Sequence, residues 1–257
     1  MSSRDRFSVE RLPDGRACLN LGSSARVSPR WNNVDSSWLF RVARHPLLAG
    51  FAHRLGLLSA DRYERIHNLR HGFILWNLIK GIPFSDETFD VVYHSHVLEH
   101  IEKETAPRFL RECFRVLKRG GILRVVVPDL EALARRYLGF VDRLPGESVG
   151  AEHAAAIDEM FDQMVRRIPK ARADRGPVVR FLEGIFVGDT SRSGERHRWI
   201  YDRFSLGRLL EEAGLVRVRV LDATSSQVED WDSFGLDLEP DGAPYKPGSL
   251  YMEGSRP

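Results

Sequence analysis

The chain has few cysteines, few lysines and no long apolar run, and the first and last of these shortages each exclude a class of protein. Two cysteines in 257 residues cannot form the disulfide framework of a small secreted fold. No apolar stretch approaches the roughly 18 residues that a membrane span needs, which excludes a transmembrane protein. The first residues also lack the apolar core of a secretory signal. We therefore expect a cytoplasmic protein whose length suffices for a sizeable core.

The shortage of lysine is matched by an excess of arginine. Five lysines stand against 33 arginines. Guanidinium groups favour two-pronged contacts with carboxylates or phosphates, although a coding bias explains the same excess. The net charge of +2 leaves no dominant basic tail, so we expect no nucleic-acid partner. Neither feature indicates an oligomeric state.

A strand, a helix and a second strand follow one another in the middle of the chain. Residues 89–93 (FDVVY) and 122–127 (ILRVVV) are apolar runs typical of buried strands. Between them the pattern predicts a helix that Thr105 caps and that ends in Lys118 and Arg119, before Gly120-Gly121. This order predicts a right-handed crossover and a parallel sheet. The apolar stripe of the helix consists of Leu110, Cys113, Phe114 and Leu117.

The remaining pattern predicts one domain over 1–257 with an insertion at about 139–200. Further strands are expected at 16–21, 33–35, 73–78, 216–221 and 249–254, with the last two forming an antiparallel pair. Helices are expected as two short pieces within 38–58, at 130–144, and from a cap at Ser205 to Gly214.

Three segments resemble class I S-adenosylmethionine-dependent methyltransferases, most closely the type 11 group. They are 81–93 (GIPFSDETFDVVY), 94–101 (HSHVLEHI) and 115–121 (RVLKRGG), in which Arg119 stands where that family usually has proline. The pattern at 197–202 is also similar to the group, in a branch often found among bacterial surface-polysaccharide genes. The resemblance implies an α/β Rossmann-like fold with a mostly parallel sheet, an antiparallel C-terminal strand, helices on both faces, and S-adenosyl-L-methionine as cofactor.

In that family the cofactor lies across the carboxyl ends of the strands. The resemblance assigns the glycine-rich loop to Gly22-Ser23-Ser24, the ribose contact to Asp35 and the adenine contact to Asn77, with its carbonyl as acceptor. Asn20 and Asn77 depart from the family pattern, and the interval from 22 to 35 predicts a shortened first crossover without a full helix. The complete set of expected cofactor contacts is Gly22, Ser23, Asp35, Asn77, Leu78, His94 and Ser95.

The residues His96, Glu99 and His100 are the candidate catalytic groups. Histidine suits general-base catalysis on a hydroxyl near neutral pH, although buttressing of a helix start is an alternative role. The sequence HVLEH also matches the H-x-x-E-H pattern of inverted zinc peptidases, which needs His96 and His100 on one helix face. No third ligand is evident, so we expect no metal.

A second candidate cluster would bind substrate through His197, Trp199, Tyr201 and Asp202. Aromatic faces with polar groups suit a sugar ring, but the same residues could anchor the insertion. Between 166 and 203 the chain has ten basic and five acidic residues. That balance favours an anionic or phosphate-bearing acceptor, with a solvated charged face as the alternative.

Three functions follow from these residues. The first is O-methylation of a saccharide or surface-glycan precursor, the second a non-catalytic methyltransferase-fold module that binds a glycan or a protein, and the third a zinc hydrolase using HVLEH. The basic, acid-free stretch 38–58 predicts either peripheral contact with an anionic membrane or a pair of helices that cover the sheet.

Overall fold

Seven strands form one mixed sheet in the computed structural model, which describes residues 7–24, 26–36, 45–54, 63, 73–142, 150–164 and 197–257. The strand order is β3-β2-β1-β4-β5-β7-β6, and β7 runs antiparallel to the other six strands. This arrangement confirms the expected α/β Rossmann-like methyltransferase fold with an antiparallel C-terminal strand. The strands are β1 (Cys18–Leu21), β2 (Asn32–Asp35), β3 (Phe73–Leu75), β4 (Phe89–Ser95), β5 (Leu117–Pro128), β6 (Val216–Leu221) and β7 (Ser249–Ser255).

Five α-helices lie within the described residues. They are α1 (Pro46–Arg54), α2 (Ala106–Val116), α3 (Leu130–Val141), α4 (Gly150–Met164) and α5 (Arg203–Glu212), with 3₁₀ helices at Leu78–Lys80, Leu98–His100 and Trp231–Phe234. Among these residues, no helix is long and apolar enough to cross a membrane. The expectations for 38–44, 55–58 and most of the insertion, 165–196, lie outside the described residues.

Helix α2 ends earlier than its sequence predicts. The last helical residue is Val116, and β5 begins at Leu117, so Lys118 is a strand residue. Its ammonium lies 2.7 Å from Asp90 Oδ2, and this ion pair holds the start of β5 against β4. Gly120 does adopt the expected left-handed backbone, at φ +77°, but inside the strand. The prediction was wrong because strand pairing outweighs the helix-end signal; Thr105 also makes no side-chain cap.

Two other boundaries differ from the sequence expectation. The cap of α5 is Asp202, whose carboxylate accepts a hydrogen bond from the Ser205 amide at 2.7 Å, while the Ser205 hydroxyl accepts one from the Asp202 amide. Strand β3 ends at Leu75 instead of Leu78, because the Asn77 side chain caps the 3₁₀ helix that follows.

The short crossover from β1 to β2 contains no helix within its described residues, as predicted. Asparagine side chains hold it instead: Asn20 Nδ2 donates to the Arg26 carbonyl and to Asn33 Oδ1, at 2.9 and 3.0 Å. Asn33 Nδ2 donates in turn to the carbonyls of Ser28 and Trp31. These amides satisfy backbone groups that a helix would otherwise pair.

The two faces of the sheet are covered differently. Helices α2 and α5 pack one face with a mainly aliphatic core. The opposite face carries an aromatic group, Trp31, Tyr93, Trp231 and Phe234, in which the rings of Trp31 and Phe234 meet edge to face at 5.0 Å. Part of this cover comes from the segment that joins β6 to β7, so the long connection between the last two strands stabilises the sheet.

A fully buried arginine lies on that second face. The Nε of Arg124 is 2.7 Å from Asp237 Oδ2, and its Nη1 is 2.8 Å from Glu253 Oε1. The remaining donors of Arg124 reach the carbonyls of Ser225 and Asp222. We call Arg124, Asp237 and Glu253 the arginine cluster. Because each charge has an opposite charge and further hydrogen bonds, the cluster joins β5 and β7 to the loop above them.

Candidate active site

The predicted glycine-rich loop lies at the carboxyl ends of the parallel strands. The amides of Gly22 and Ser23 donate to the Val34 carbonyl at 2.7 and 3.4 Å, and the Ser24 amide donates to Asp35 Oδ2 at 2.7 Å. The loop after β1 is thereby tied to the end of β2. The fold therefore brings Gly22, Ser23 and Asp35 together, although they are assigned from separate motifs.

Gly22 is required by its backbone and by its neighbour. Its φ is +66°, and a Cβ at this position would lie 2.3 Å from Val97 Cγ2. Val97 belongs to the turn after β4. The close approach therefore fixes the loop after β1 against the turn that carries the candidate catalytic residues.

Asn77 follows β3 at the same edge. The Trp76 amide donates to the Asp35 carbonyl at 2.9 Å, which holds this segment beside the end of β2. The side-chain oxygen of Asn77, Oδ1, accepts a hydrogen bond from the Ile79 amide at 3.0 Å. The oxygen that we expected to contact adenine therefore has one lone pair in use. Leu78 is half-buried, and its side chain packs against the core.

His94 is enclosed on the inner side of β4. Its side chain has no exposed surface, and its ring meets Phe109 of α2 at a centroid distance of 5.3 Å. Neither ring nitrogen has a hydrogen-bond partner in the described part of the chain. Burial lowers the pKa of His94 to about 4, so the ring is neutral at physiological pH. Because the whole residue is enclosed, it offers no surface to the cofactor that it was predicted to contact. Ser95, the last residue of β4, is half-buried.

The HVLEH sequence does not form one helix face. Leu98–His100 is a 3₁₀ turn, and His96 precedes it with a left-handed φ of +54°. The geometry that the inverted zinc-peptidase pattern requires, two histidines one α-helical turn apart, is therefore absent. That part of the prediction was wrong because the strand end at Ser95 forces a tight turn in place of a helix start.

Glu99 is the centre of the site. Its carboxylate is fully buried, with His96 Nδ1 at 3.0 Å and His197 Nε2 at 4.0 Å from Oε1. The rings of His100 and His197 meet edge to face at a centroid distance of 4.9 Å. We call Glu99, His96, His100 and His197 the histidine cluster. It joins the turn after β4 to the segment that leads into α5.

The histidines determine the charge state of Glu99. Burial by itself would raise the pKa of this carboxyl, but the contact with His96 and the positive charge available on His96 and His100 outweigh it. The pKa of Glu99 therefore lies below its usual value. An ionised carboxylate is held in a closed environment, where its field acts strongly on any nearby group.

His96 is held between two partners. Its Nε2 lies 2.9 Å from the Ser249 hydroxyl, at the start of β7, while its Nδ1 faces Glu99. Both ring nitrogens thus contact protein groups. This arrangement fits a residue that orients Glu99 better than a base that reaches substrate, the role that the sequence assigned to it.

The second candidate cluster divides in two. His197 and Tyr201 lie at Glu99: the Tyr201 hydroxyl is buried without a hydrogen-bond partner among the described residues, and burial together with the Glu99 charge raises the pKa of Tyr201. Trp199 is partly exposed under the Lys103 ammonium, 3.9 Å from the ring centroid. Asp202 caps α5. The structure therefore brings only part of this set to the turn after β4.

Three contributors were missed by sequence reasoning. Ser249 orients His96, the Gln163 carbonyl accepts a hydrogen bond from His197 Nδ1, and Val97 packs on Gly22. Ser249 and Gln163 are distant in sequence from the residues that they contact, and no local pattern marks them. Val97 lies inside the HVLEH motif, so a reading of this segment as a turn instead of a helix would have found it.

The described residues fit a nucleoside cofactor in part. Asp35 offers carboxylate oxygens at the end of β2, which suits ribose hydroxyls because an ionised carboxylate only accepts. Ser23 has a buried hydroxyl without a hydrogen-bond partner in the described chain. A helix after β1, whose N-terminus would support the cofactor, is not among the described residues. The donor set therefore suits the nucleoside half better than the methionine half.

Comparison with known proteins finds similarity to methyltransferases. A family model described as a methyltransferase domain matches residues 61–125. A protein of Mycolicibacterium smegmatis, named as a probable S-adenosylmethionine-dependent methyltransferase, is 40% identical over 68 residues, which cover 26% of this chain and 23% of that protein. A Mycobacterium tuberculosis protein named in the same way is 30% identical over 88 residues, 34% of this chain and 29% of that protein. The chain thus spans about a quarter of the length of these relatives.

A solved structure of a SAM-dependent methyltransferase from Thermotoga maritima aligns with 96% of this chain and 84% of that one, at 16% identity and a TM-score of 0.42. The family model matches the centre of the chain, a segment that contains β3, β4 and α2, the 3₁₀ turn with Glu99, and the first part of β5.

Proposed function

We propose that this chain is an S-adenosylmethionine-dependent methyltransferase that transfers the methyl group to a hydroxyl of a saccharide or related surface-glycan precursor. The observation that carries the proposal is one contact, between Gly22 in the loop after β1 and Val97 in the turn after β4. It sets the candidate cofactor residues beside the histidine cluster. A bacterial, cytoplasmic setting in surface-polysaccharide synthesis forms part of the same proposal.

The chemistry fits this pairing. S-adenosylmethionine supplies an electrophilic methyl group, and its transfer to a hydroxyl releases one proton. Asp35 and Asn77 hold the nucleoside, and Gly22 and Ser23 lie along the rest of the cofactor. In the metal-free site His100, beside the ionised Glu99, accepts the proton. Alignment of the two reactants supplies much of the rate, so the base contributes less than the positioning.

An acceptor with a sugar ring and negative charge is the substrate class we favour. Trp199 presents a partly exposed ring beside Lys103, an arrangement that suits a ring stacked next to an anionic group. The basic residues between 166 and 203 support the same choice, although most of them lie outside the described residues.

The decisive measurement is calorimetry with S-adenosylhomocysteine. We expect micromolar binding by the natural chain and at least tenfold weaker binding by Asp35→Ala, because the ribose loses its acceptor. Asp241→Ala, in an exposed turn, is the matched control and should bind as the natural chain does. Equal affinity in both variants would refute the ribose placement.

A non-catalytic binding module is the second candidate. The asparagine-held crossover, with no helix among its described residues, favours it because the usual support of the cofactor is missing. Absence of binding by the natural chain at high micromolar cofactor would select this function. A saccharide array would then replace the methyltransferase assay.

Peripheral membrane contact through 38–58 also stays a proposal. In the described part of this stretch, α1 exposes Leu47 (88%) and Phe51 (62%), which share a helix face at i and i+4. His53 and Arg54 end the helix. Co-sedimentation with anionic vesicles should fall when Leu47 and Phe51 are both changed to Ser; sedimentation that does not depend on anionic lipid would remove the idea.

A further inference from the structure

We propose that Glu99, His100 and His197 bind one divalent transition-metal ion, with Zn²⁺ the ion that best suits two imidazoles and a carboxylate. The inference departs from the sequence expectation of no metal. It also differs from the HVLEH pattern, because His96 is replaced as a ligand by His197, a residue 101 positions further along the chain. It does not depend on the identity of the methyl acceptor.

The geometry comes first. One ligand atom from each of Glu99, His100 and His197 lies within 4.8 Å of the others. The pair that faces most directly, His197 Nε2 and Glu99 Oε1, is 4.0 Å apart. Ligand atoms on a tetrahedral zinc, at about 2.0–2.1 Å, are about 3.4 Å apart, so side-chain shifts of roughly 1 Å close the site. Three protein ligands leave the fourth position for water or a substrate oxygen.

His197 is already oriented as a ligand. Its Nδ1 contacts the carbonyl oxygen of Gln163, in the last turn of α4, where helix carbonyls have no partner within the helix. A ring that donates from Nδ1 to a carbonyl presents the Nε2 lone pair on its other side, here toward Glu99. Metal-bound histidines nearly always make this second contact. The backbone adds rigidity, since the Arg198 amide donates to the Glu99 carbonyl at 2.6 Å.

The carboxylate supplies the second argument. Glu99 is fully buried, and its ion-pair contacts within the described residues are with histidines alone. His197 Nε2 and Glu99 Oε1 face each other at 4.0 Å, and both are atoms that can ligate a cation placed between them. The buried Tyr201 hydroxyl lies near the same charge. His96 Nδ1 contacts the same carboxylate oxygen, Oε1 of Glu99, at 3.0 Å, and His96 acts as a positioning residue for the metal ligand.

A metal at this place changes the roles in the site. The lone pairs of His100 and His197 are then used in ligation, so neither ring serves as the proton acceptor. Zn²⁺ bound here would help an acceptor hydroxyl at the fourth position to release its proton to a water molecule, because the cation would stabilise the alkoxide. The site also links three parts of the chain: the turn after β4, the end of α4 and the segment before α5.

The test measures metal binding directly. Chelator-treated full chain is titrated with ZnCl₂ in a calorimeter, and with CoCl₂ while visible absorption is recorded. We expect one ion per chain and the intense absorption of four-coordinate Co²⁺. His197→Gln and His100→Gln should each weaken binding at least tenfold, whereas His45→Gln, which removes an exposed histidine outside the cluster, should leave it unchanged. Far-UV circular dichroism confirms that each variant is folded.

The opposite results are equally informative. Absence of saturable zinc binding by the folded natural chain would overturn the proposal and leave the cluster as a histidine–carboxylate hydrogen-bond network. Equal affinity in all three histidine variants would overturn it as well, since it would locate the metal elsewhere. Because no cofactor or acceptor is present in these titrations, failure here is independent of failure of the proposed methyltransferase activity.

Discussion

Two buried clusters of charge lie on opposite sides of β4 and β5, and they are completed in opposite ways. In the arginine cluster, Asp237 and Glu253 contact Arg124, and each accepts further hydrogen bonds, from Tyr93 and Trp231 in one case and Ser226 and Gln227 in the other. In the histidine cluster, the buried Glu99 has only histidines as ion-pair partners in the described chain.

This difference bears on whether each cluster can bind a ligand or exchange a proton. A permanent cation between two carboxylates costs a large desolvation energy, and four N–H groups of Arg124 are already used in hydrogen bonds to the protein. Histidines can instead gain or lose a proton, or bind a metal, at little energetic cost near neutral pH. The arginine cluster therefore stabilises the sheet, and the histidine cluster is the one for which we propose a function.

The largest expected change in the free energy of unfolding comes from a substitution in the arginine cluster. Arg124→Met removes the cation that pairs with both Asp237 and Glu253 and should lower the free energy of unfolding by about 3–5 kcal/mol. Urea denaturation at pH 7 measures it. Arg135→Met, which removes an exposed partner of Glu131, is the control and should change little. A small loss in Arg124→Met would break the distinction between the two clusters.

The second largest effect should be a loss of folding stability in acid, caused by His94, which lies outside the histidine cluster but is influenced by the charge of Glu99. The folded pKa of His94 is about 4, below the ordinary histidine value of 6.5, so the unfolded chain binds more protons between these values. The free energy of unfolding therefore falls as pH drops from 6.5 to 4, by about 3 kcal/mol from this residue. His94→Leu should lose that much less over the interval, as measured by urea denaturation at four pH values. Parallel curves for His94→Leu, the natural chain and His45→Gln would contradict the assignment.

The loop beside the histidine cluster should tolerate no side chain at position 22. Gly22→Ala combines a positive φ with a Cβ 2.3 Å from Val97 Cγ2, and we expect a loss of about 1–3 kcal/mol. Adding Val97→Ala should recover the part due to the clash. Gly139→Ala, where a Cβ meets open space within α3, is the matched control and should stabilise by about 0.5–1 kcal/mol. Thermal unfolding compares all three.

The smallest stability change should come from Glu99→Gln in metal-free protein. The variant loses contacts with histidines but also relieves the burial of a charge, and these opposite effects should leave a change of about 1 kcal/mol or less. Its zinc affinity should nevertheless fall at least tenfold. If Glu99→Gln lowered the free energy of unfolding as much as Arg124→Met does, Glu99 would be a structural carboxylate.

The sheet could be predicted because its signals are local or carried by motifs. The apolar runs of β4, β5 and β6 and the stripe of α2 stand in the sequence, and the RVLKRGG and PFSDETFD motifs turn out to contact each other. Arg115 donates to the carbonyls of Ile82 and Phe84 and lies 2.7 Å from Asp86 Oδ1. The motifs that carry the family resemblance therefore brace the sheet more than they line the site.

The histidine cluster was only half predictable for the same reason. Glu99 and His100 were found because they lie in one short motif, and His197 was singled out as a substrate contact. Nothing local indicates that His197 lies 4.0 Å from Glu99, that Gln163 orients it, or that His96 leaves the helix pattern through a left-handed backbone. The wrong end of α2 has a related cause, because pairing with β4 extends β5 back to Leu117.

The sequence by itself determined the α/β class, the strand–helix–strand unit, the shortened first crossover and the candidate residues at the strand ends. Periodicity, turn residues and motif spacing are properties of adjacent residues, so these features need no knowledge of the fold. Only the tertiary structure decided which buried carboxylate is neutralised by arginine and which is surrounded by histidines. That choice depends on segments more than 90 residues apart in the chain, and they meet only once the sheet has formed.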